Sequence, residues 1–236
     1  MRFILLLISI SIYGCTSNTQ PENSATTNQV EASAETNPSS IEQAETVQLS
    51  SYNKRYQDLV KKVKSAPNFE YVKALKLTYI RTEYYQPFLG TEAELIASIY
   101  SNIDSKNWVK CNELSKQILT TNYISLDAHY GAMVCSFETN LPEQGKFHRT
   151  VMTHLLQAMW QSGDGLSPLS PLFCTSKSEL DAFLKFSGFS LLKQSLLDFE
   201  GKTYDVVMVK DPDTNKEFEL FFDISSQWQY GFKDIE

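Results

Sequence analysis

Between Tyr56 and Met159 the apolar residues of this chain recur every three or four positions, and after Trp160 they begin to alternate. A helix turns once in 3.6 residues and a strand reverses its side chains every two, so the change of period predicts helices first and a sheet second. Tyr56, Leu59, Val60 and Val63 form one stripe; Phe69, Val72, Leu75 and Tyr79 form the next, before Pro87 ends it. Thr91-Glu92-Ala93-Glu94 reads as a capping box, opening a helix with Leu95, Ile96, Ile99, Tyr100 and Ile103 inward. Further stripes are Trp108, Cys111, Leu114, Ile118; Tyr130, Met133, Val134, Phe137; and Phe147, Val151, Leu155, Ala158, Met159. Their short connections predict antiparallel neighbours.

Ser162-Gly163-Asp164-Gly165-Leu166-Ser167-Pro168 through Pro171 then breaks the helical writing. Leu172-Phe173-Cys174 suits a short strand, and Ser176-Lys177-Ser178-Glu179 is a second capping box, before a helix with Leu180, Phe183 and Leu184 inward and Gly188 at its end. Ser190 to Phe199, a Glu200-Gly201 turn, the alternating Tyr204 to Val209, an Asp211 to Asn215 turn and the alternating Phe218 to Asp223 predict an antiparallel meander of three or four strands. The expected fold class is α+β, with helical hairpins over 51–162 and a small sheet with one helix over 163–236.

Two segments precede that region. Arg2 followed by the apolar run Phe3 to Tyr13 is too short to cross a hydrocarbon core of about 30 Å and suits a cleaved signal. Ile12-Tyr13-Gly14-Cys15 resembles the bacterial lipobox, although Tyr13 is larger than that pattern usually has. The resemblance implies a signal over 1–14 and a diacylated Cys15, a membrane anchor that two or three acyl chains make effectively permanent. Thr16, in place of Asp, implies sorting to the outer membrane. Residues 16–50 contain no aromatic residue, no Lys or Arg and five Glu. Such a segment cannot offset its ordering entropy by burial, so 15–50 is expected to be the lipidated cysteine followed by a disordered spacer.

The net charge of the whole chain is −7, which disfavours nucleic acid as a partner because phosphate binding needs a clustered basic surface. With Cys15 lipidated, Cys111, Cys135 and Cys174 remain, and at most one disulfide can form. Cys111 and Cys135 fall at small-residue positions of adjacent helices and are expected to pack as free thiols. His129, His148 and His154 lack metal-ligand spacing, so no metal and no cofactor is expected.

Trp108 with Cys111 three later and Ile118 seven beyond, followed by a second start at Leu126-Asp127-Ala128, resembles the tetratricopeptide repeat, whose unit is about 34 residues. Tyr123 stands where that family usually has proline, and Gly145 takes the small-residue place of the second unit. Residues about 51–225 resemble a family of bacterial envelope proteins, domain of unknown function 4919. The blocks that carry this are Leu75 to Tyr79 with Tyr84-Tyr85-Gln86-Pro87-Phe88, Leu126-Asp127-Ala128-His129, Phe147-His148-Arg149, Ser162 to Pro168, and Gln194-Ser195-Leu196 with Tyr204-Asp205-Val206. Leu75-Lys76 replaces the family's Leu-Arg. The resemblance implies an envelope location and a helical-then-sheet architecture, and brings no activity.

The candidate chemistry is a convergence of His148, Asp164 and Asp205 at the seam between helices and sheet, where they would supply a general acid and base. Against it, an Asp between glycines ordinarily bonds its own turn. No nucleophile elbow, zinc motif or phosphate loop is present. The sequence therefore favours a lipid-anchored, non-enzymatic scaffold that holds a protein or peptide partner, with Tyr79, Tyr84, Tyr85, Tyr100 and Tyr130 as aromatic anchors. The alternative is an envelope hydrolase or glycan-binding protein using the seam.

Overall fold

The computed structural model describes residues 38–88 and 90–231. Cys15, the signal segment and the spacer as far as Asn37 lie outside the described residues. Among the described residues eight helices and four strands follow in the order α1 (Pro38–Ser65), α2 (Phe69–Tyr79), α3 (Thr91–Asp104), α4 (Trp108–Ile118), α5 (Leu126–Glu138), α6 (Pro142–Trp160), β1 (Leu172–Phe173), α7 (Lys177–Phe186), β2 (Ser190–Phe199), β3 (Lys202–Lys210), β4 (Glu217–Asp223) and α8 (Ser225–Gly231). The fold is mixed α+β, as the change of hydrophobic period predicts. No described helix is long and apolar enough to cross a membrane.

Helix α1 begins at Pro38, well inside the segment expected to be a spacer up to residue 50. Glu45 to Ser50 are exposed, so these residues owe their helical order to propagation and not to burial. The docked stripe of Tyr56, Leu59 and Val63 supplies the costly nucleus, and each further residue adds one backbone bond.

Helices and sheet share one contiguous core, running from Val63, Leu75 and Leu155 to Phe183, Val207 and Phe222, and the chain from Pro38 onward forms one compact unit. Phe183 joins the layers, its ring 4.8 Å from Trp160 and 5.6 Å edge-on from Phe222. Glycine permits the closest helix approaches: a Cβ on Gly131 would lie 2.5 Å from both Ile99 and Ser115, and one on Gly145 would lie 2.8 Å from the Phe137 ring.

The sheet order is β1-β4-β3-β2, and the expected all-antiparallel meander is corrected to a mixed sheet. The chain leaves β1 through α7 to the far edge and returns by β2, β3 and β4, which brings β4 alongside β1 in the parallel sense. Strand β3 is central and is buried on both faces, which hides the alternation expected of it.

Two local expectations also change. Cys111 and Cys135 form a disulfide, Cα atoms 6.3 Å apart, linking the start of α4 to the end of α5; Cys174 is the buried free thiol. Tyr123, in the α4–α5 connection, lies midway between the two cysteines in sequence, so two helices folding back on each other bring them to the same level. Thr91 does not cap α3: Gly90 is the N-cap, without a side-chain bond, and the nearby Glu92 turns inward to Asn122. The second capping box is half formed. Ser176 Oγ accepts from Glu179 N at 3.1 Å, while the Glu179 carboxylate takes Thr175 N at 2.7 Å and also meets Lys76.

Candidate ligand groove

Among the described residues His148, Asp164 and Asp205 share no hydrogen-bond partner, and each is engaged separately. Asp164 Oδ1 accepts from Leu166 N at 2.9 Å, within its own turn. That turn is built by close packing: a Cβ on Gly163 would fall 2.2 Å from the Pro171 carbonyl, and Gly165, at φ +71°, accepts from Phe221 N at 2.8 Å. Asp205 is buried on β3, with Gln194 Nε2 at 2.6 Å on one oxygen and no partner among the described residues on the other, and burial raises its pKa. The seam is closed instead by a polar network. Glu92, held by Asn122 at 3.0 and 3.1 Å, and Asp127, bonded to the Tyr100 hydroxyl, border a void of about 10 Å³, room for about one water. Burial pushes both carboxyls up.

Of the five expected aromatic anchors, Tyr79 and Tyr85 are corrected, while Tyr84, Tyr100 and Tyr130 stay half-buried. Tyr79 and Tyr85 are buried in the core, and the Tyr85 hydroxyl donates to Thr175 O at 2.8 Å. Tyr100 and Tyr130 stack on each other at 5.8 Å, and Tyr84 packs on Tyr56.

What the sequence did not reveal is the partner of His148. Its Nδ1 lies 2.9 Å from Nδ1 of His129, which is fully buried in the first turn of α5. His129 Nε2 is 3.0 Å from the Tyr123 carbonyl, which can only accept, so the His129 hydrogen sits on Nε2 and its Nδ1 is the acceptor. His148 Nδ1 must then donate. Nε2 of His148 is left as a lone pair without a partner among the described residues. Burial is the main cause holding both imidazoles below their ordinary pKa, with the other imidazole adding for His129 and Lys116 for His148. The clue was spacing: His148 heads the stripe of Val151, Leu155 and Met159, and His129 follows Leu126 by three.

His148 lines a groove of about 810 Å³ between α1, α4 and α6. Val60, Leu119, Tyr123 and Phe147 supply its apolar walls; Lys64, Lys116 and Glu143 supply its charge. Glu143 is neutralised by Lys146 at 2.7 Å. Lys64 lies over the Tyr123 ring at 5.2 Å, and neither it nor Lys116 has a carboxylate partner among the described residues. The groove is therefore apolar within and net positive at its rim. Its volume falls in the range of small-ligand and peptide side-chain sites. No group of metal ligands forms among the described residues.

The buried histidines make a pH prediction. Unfolded, both titrate near the ordinary 6.5; folded, they stay neutral to lower pH, so the unfolded chain binds more protons across that window. Their contribution to stability is full above pH 6.5 and is lost as the pH falls toward the folded values. Glu92, Asp127 and Asp205, raised by burial, act in the opposite sense. The measurement is urea unfolding at pH 7.5 and 5 for wild type and His148→Gln, which keeps a donor for His129. Wild type is expected to lose more stability on acidification than the variant, and equal losses would refute the assignment.

No protein family model, curated protein or solved structure matches the chain. The resemblance to domain of unknown function 4919 rests on the sequence blocks alone.

Proposed function

We propose that the protein is a lipid-anchored component of the bacterial outer membrane that binds a protein or peptide partner without catalysing a reaction on it. The observation that carries the reading is the groove between α1, α4 and α6, whose apolar walls and rim lysines, without a carboxylate partner among the described residues, suit an anchor side chain with an anionic neighbour. Helix α4 packs on α5 and α5 on α6, in keeping with tetratricopeptide-like hairpins that present a binding face. The anchor itself rests on Ile12-Tyr13-Gly14-Cys15.

The test is made in cells. A photoreactive residue in place of Thr120, on the groove rim, is expected to give a discrete crosslinked adduct in the membrane fraction, and Phe147→Asp is expected to abolish it. Cys15→Ala is expected to remove acyl labelling and detergent partitioning without unfolding the domain. An adduct that survives Phe147→Asp would place the partner elsewhere, and labelling that survives Cys15→Ala would remove the lipid anchor.

A further inference from the structure

The His129–His148 pair and the two rim lysines narrow what the groove accepts. Three chemical demands converge there. An apolar body fits among Val60, Leu119, Tyr123 and Phe147; an anion fits the charge of Lys64 and Lys116; and a hydrogen-bond donor fits His148 Nε2, whose lone pair the buried hydrogen-bond chain fixes. A fatty acid offers body and anion but no donor. An internal peptide segment offers body and donor, and its main chain carries no charge. A chain-terminal residue offers all three from one Cα atom.

Resting on the peptide-binding reading above, we propose that the groove receives a peptide carboxyl terminus. The terminal carboxylate faces Lys64 and Lys116, the last amide N–H donates to His148 Nε2, and the terminal apolar side chain fills the wall formed by Leu119, Tyr123 and Phe147. Lys64 is held by the Tyr123 ring, so part of its ordering cost is met before a ligand arrives. His129 is a positioning residue: it reaches no ligand, but its acceptor nitrogen dictates which nitrogen of His148 is free.

The experiment uses the full chain in lipid nanodiscs and fluorescence anisotropy. The probes are fluorescein-labelled octapeptides ending in Leu, Phe, Lys or Asp, each as free acid and as carboxamide, with the Leu and Phe acids also N-methylated at the last amide. Octanoate is the lipid-like competitor. The Leu and Phe acids are expected to bind about tenfold more tightly than their carboxamides and more tightly than the Lys and Asp acids, with a loss of about fivefold or more on N-methylation. Lys116→Gln, at an exposed position, is expected to reduce the acid preference, weakening the free acids more than the carboxamides. His148→Gln, whose amide can donate to His129, is expected to alter the N-methylation penalty selectively.

Acids and carboxamides of equal affinity would overturn the inference while leaving a peptide groove in place. Displacement of every peptide by octanoate at a lower concentration than the Leu acid requires would overturn it in favour of a lipid anion. No peptide binding, with the Thr120 adduct still formed in cells, would overturn it and keep the proposed function; loss of both would remove both readings.

Discussion

Lys76→Met is expected to lower the stability of the fold by about 3–5 kcal/mol, the cost of leaving a buried charge without its partner. Lys76 on α2 and Glu179 on α7 are 2% and 6% exposed and form an ion pair that ties the helical layer to the helix beside the sheet. The second Glu179 oxygen takes Thr175 N at 2.7 Å and Thr175 Oγ1 at 2.8 Å, and the Lys76 ammonium also sits 5.3 Å from the centre of the Phe173 ring. Methionine keeps the aliphatic stem packed and removes only the cation, so the loss reports the charge rather than a cavity. Adding Glu179→Gln to Lys76→Met is expected to recover part of the loss, because an amide oxygen can still accept from Thr175 and no uncompensated charge remains. Urea unfolding of the wild type, both single variants and the double variant closes the cycle. A Lys76→Met midpoint within error of wild type would mean that the pair adds nothing to the joint between helices and sheet.

Opening the Cys111–Cys135 disulfide is the second large effect. It closes a loop of 24 residues around the α4–α5 connection, and constraining the unfolded chain over that length stabilises the fold by about 3 kcal/mol. The consequence reaches the groove, since the same two helices carry Lys116 and His129 and the connection carries Tyr123. Cys111→Ala with Cys135→Ala is expected to lose that amount in urea while keeping the native circular dichroism spectrum, since both side chains are buried among apolar neighbours. Mild reductant should move the wild type to the same midpoint and leave the variant unmoved. A wild-type midpoint that does not respond to reductant would show that the bridge is not made in solution. Cys174, buried and with its thiol pushed up by burial, is expected to resist alkylation until the chain unfolds.

The element order was legible because it depends on local period. Stripes such as Phe69, Val72, Leu75 and Tyr79, the serine cap of α7 and the glycine after it each act within a few residues, and α2, α4 and α7 stand where those signals place them. Asn68, Asn107 and Ser176 each accept a hydrogen bond from the first turn of the helix they open, while Gly188 takes the positive φ that ends α7. Asp164 was legible in the same way, as a residue bonding its own turn.

What period could not reveal was which elements meet. The parallel pairing of β1 with β4, the disulfide, the burial of Tyr79 and Tyr85 and the Lys76–Glu179 pair all join residues far apart in the chain. Helix α1 exceeded its stripe because a docked nucleus propagates into sequence with no apolar face of its own. The groove was hidden for the same reason. His148 reads as an ordinary helical histidine until α5 sets His129 against it, and Lys64 and Lys116 read as solvated charges until α1 and α4 place them on one rim. Local chemistry along the chain determined the order of helices and strands and several of their ends, though not the start of α1 or the cap of α3. Packing between distant segments alone decided which nitrogen of His148 is free and that an apolar groove lies beside it, because those properties belong to contacts and not to residues.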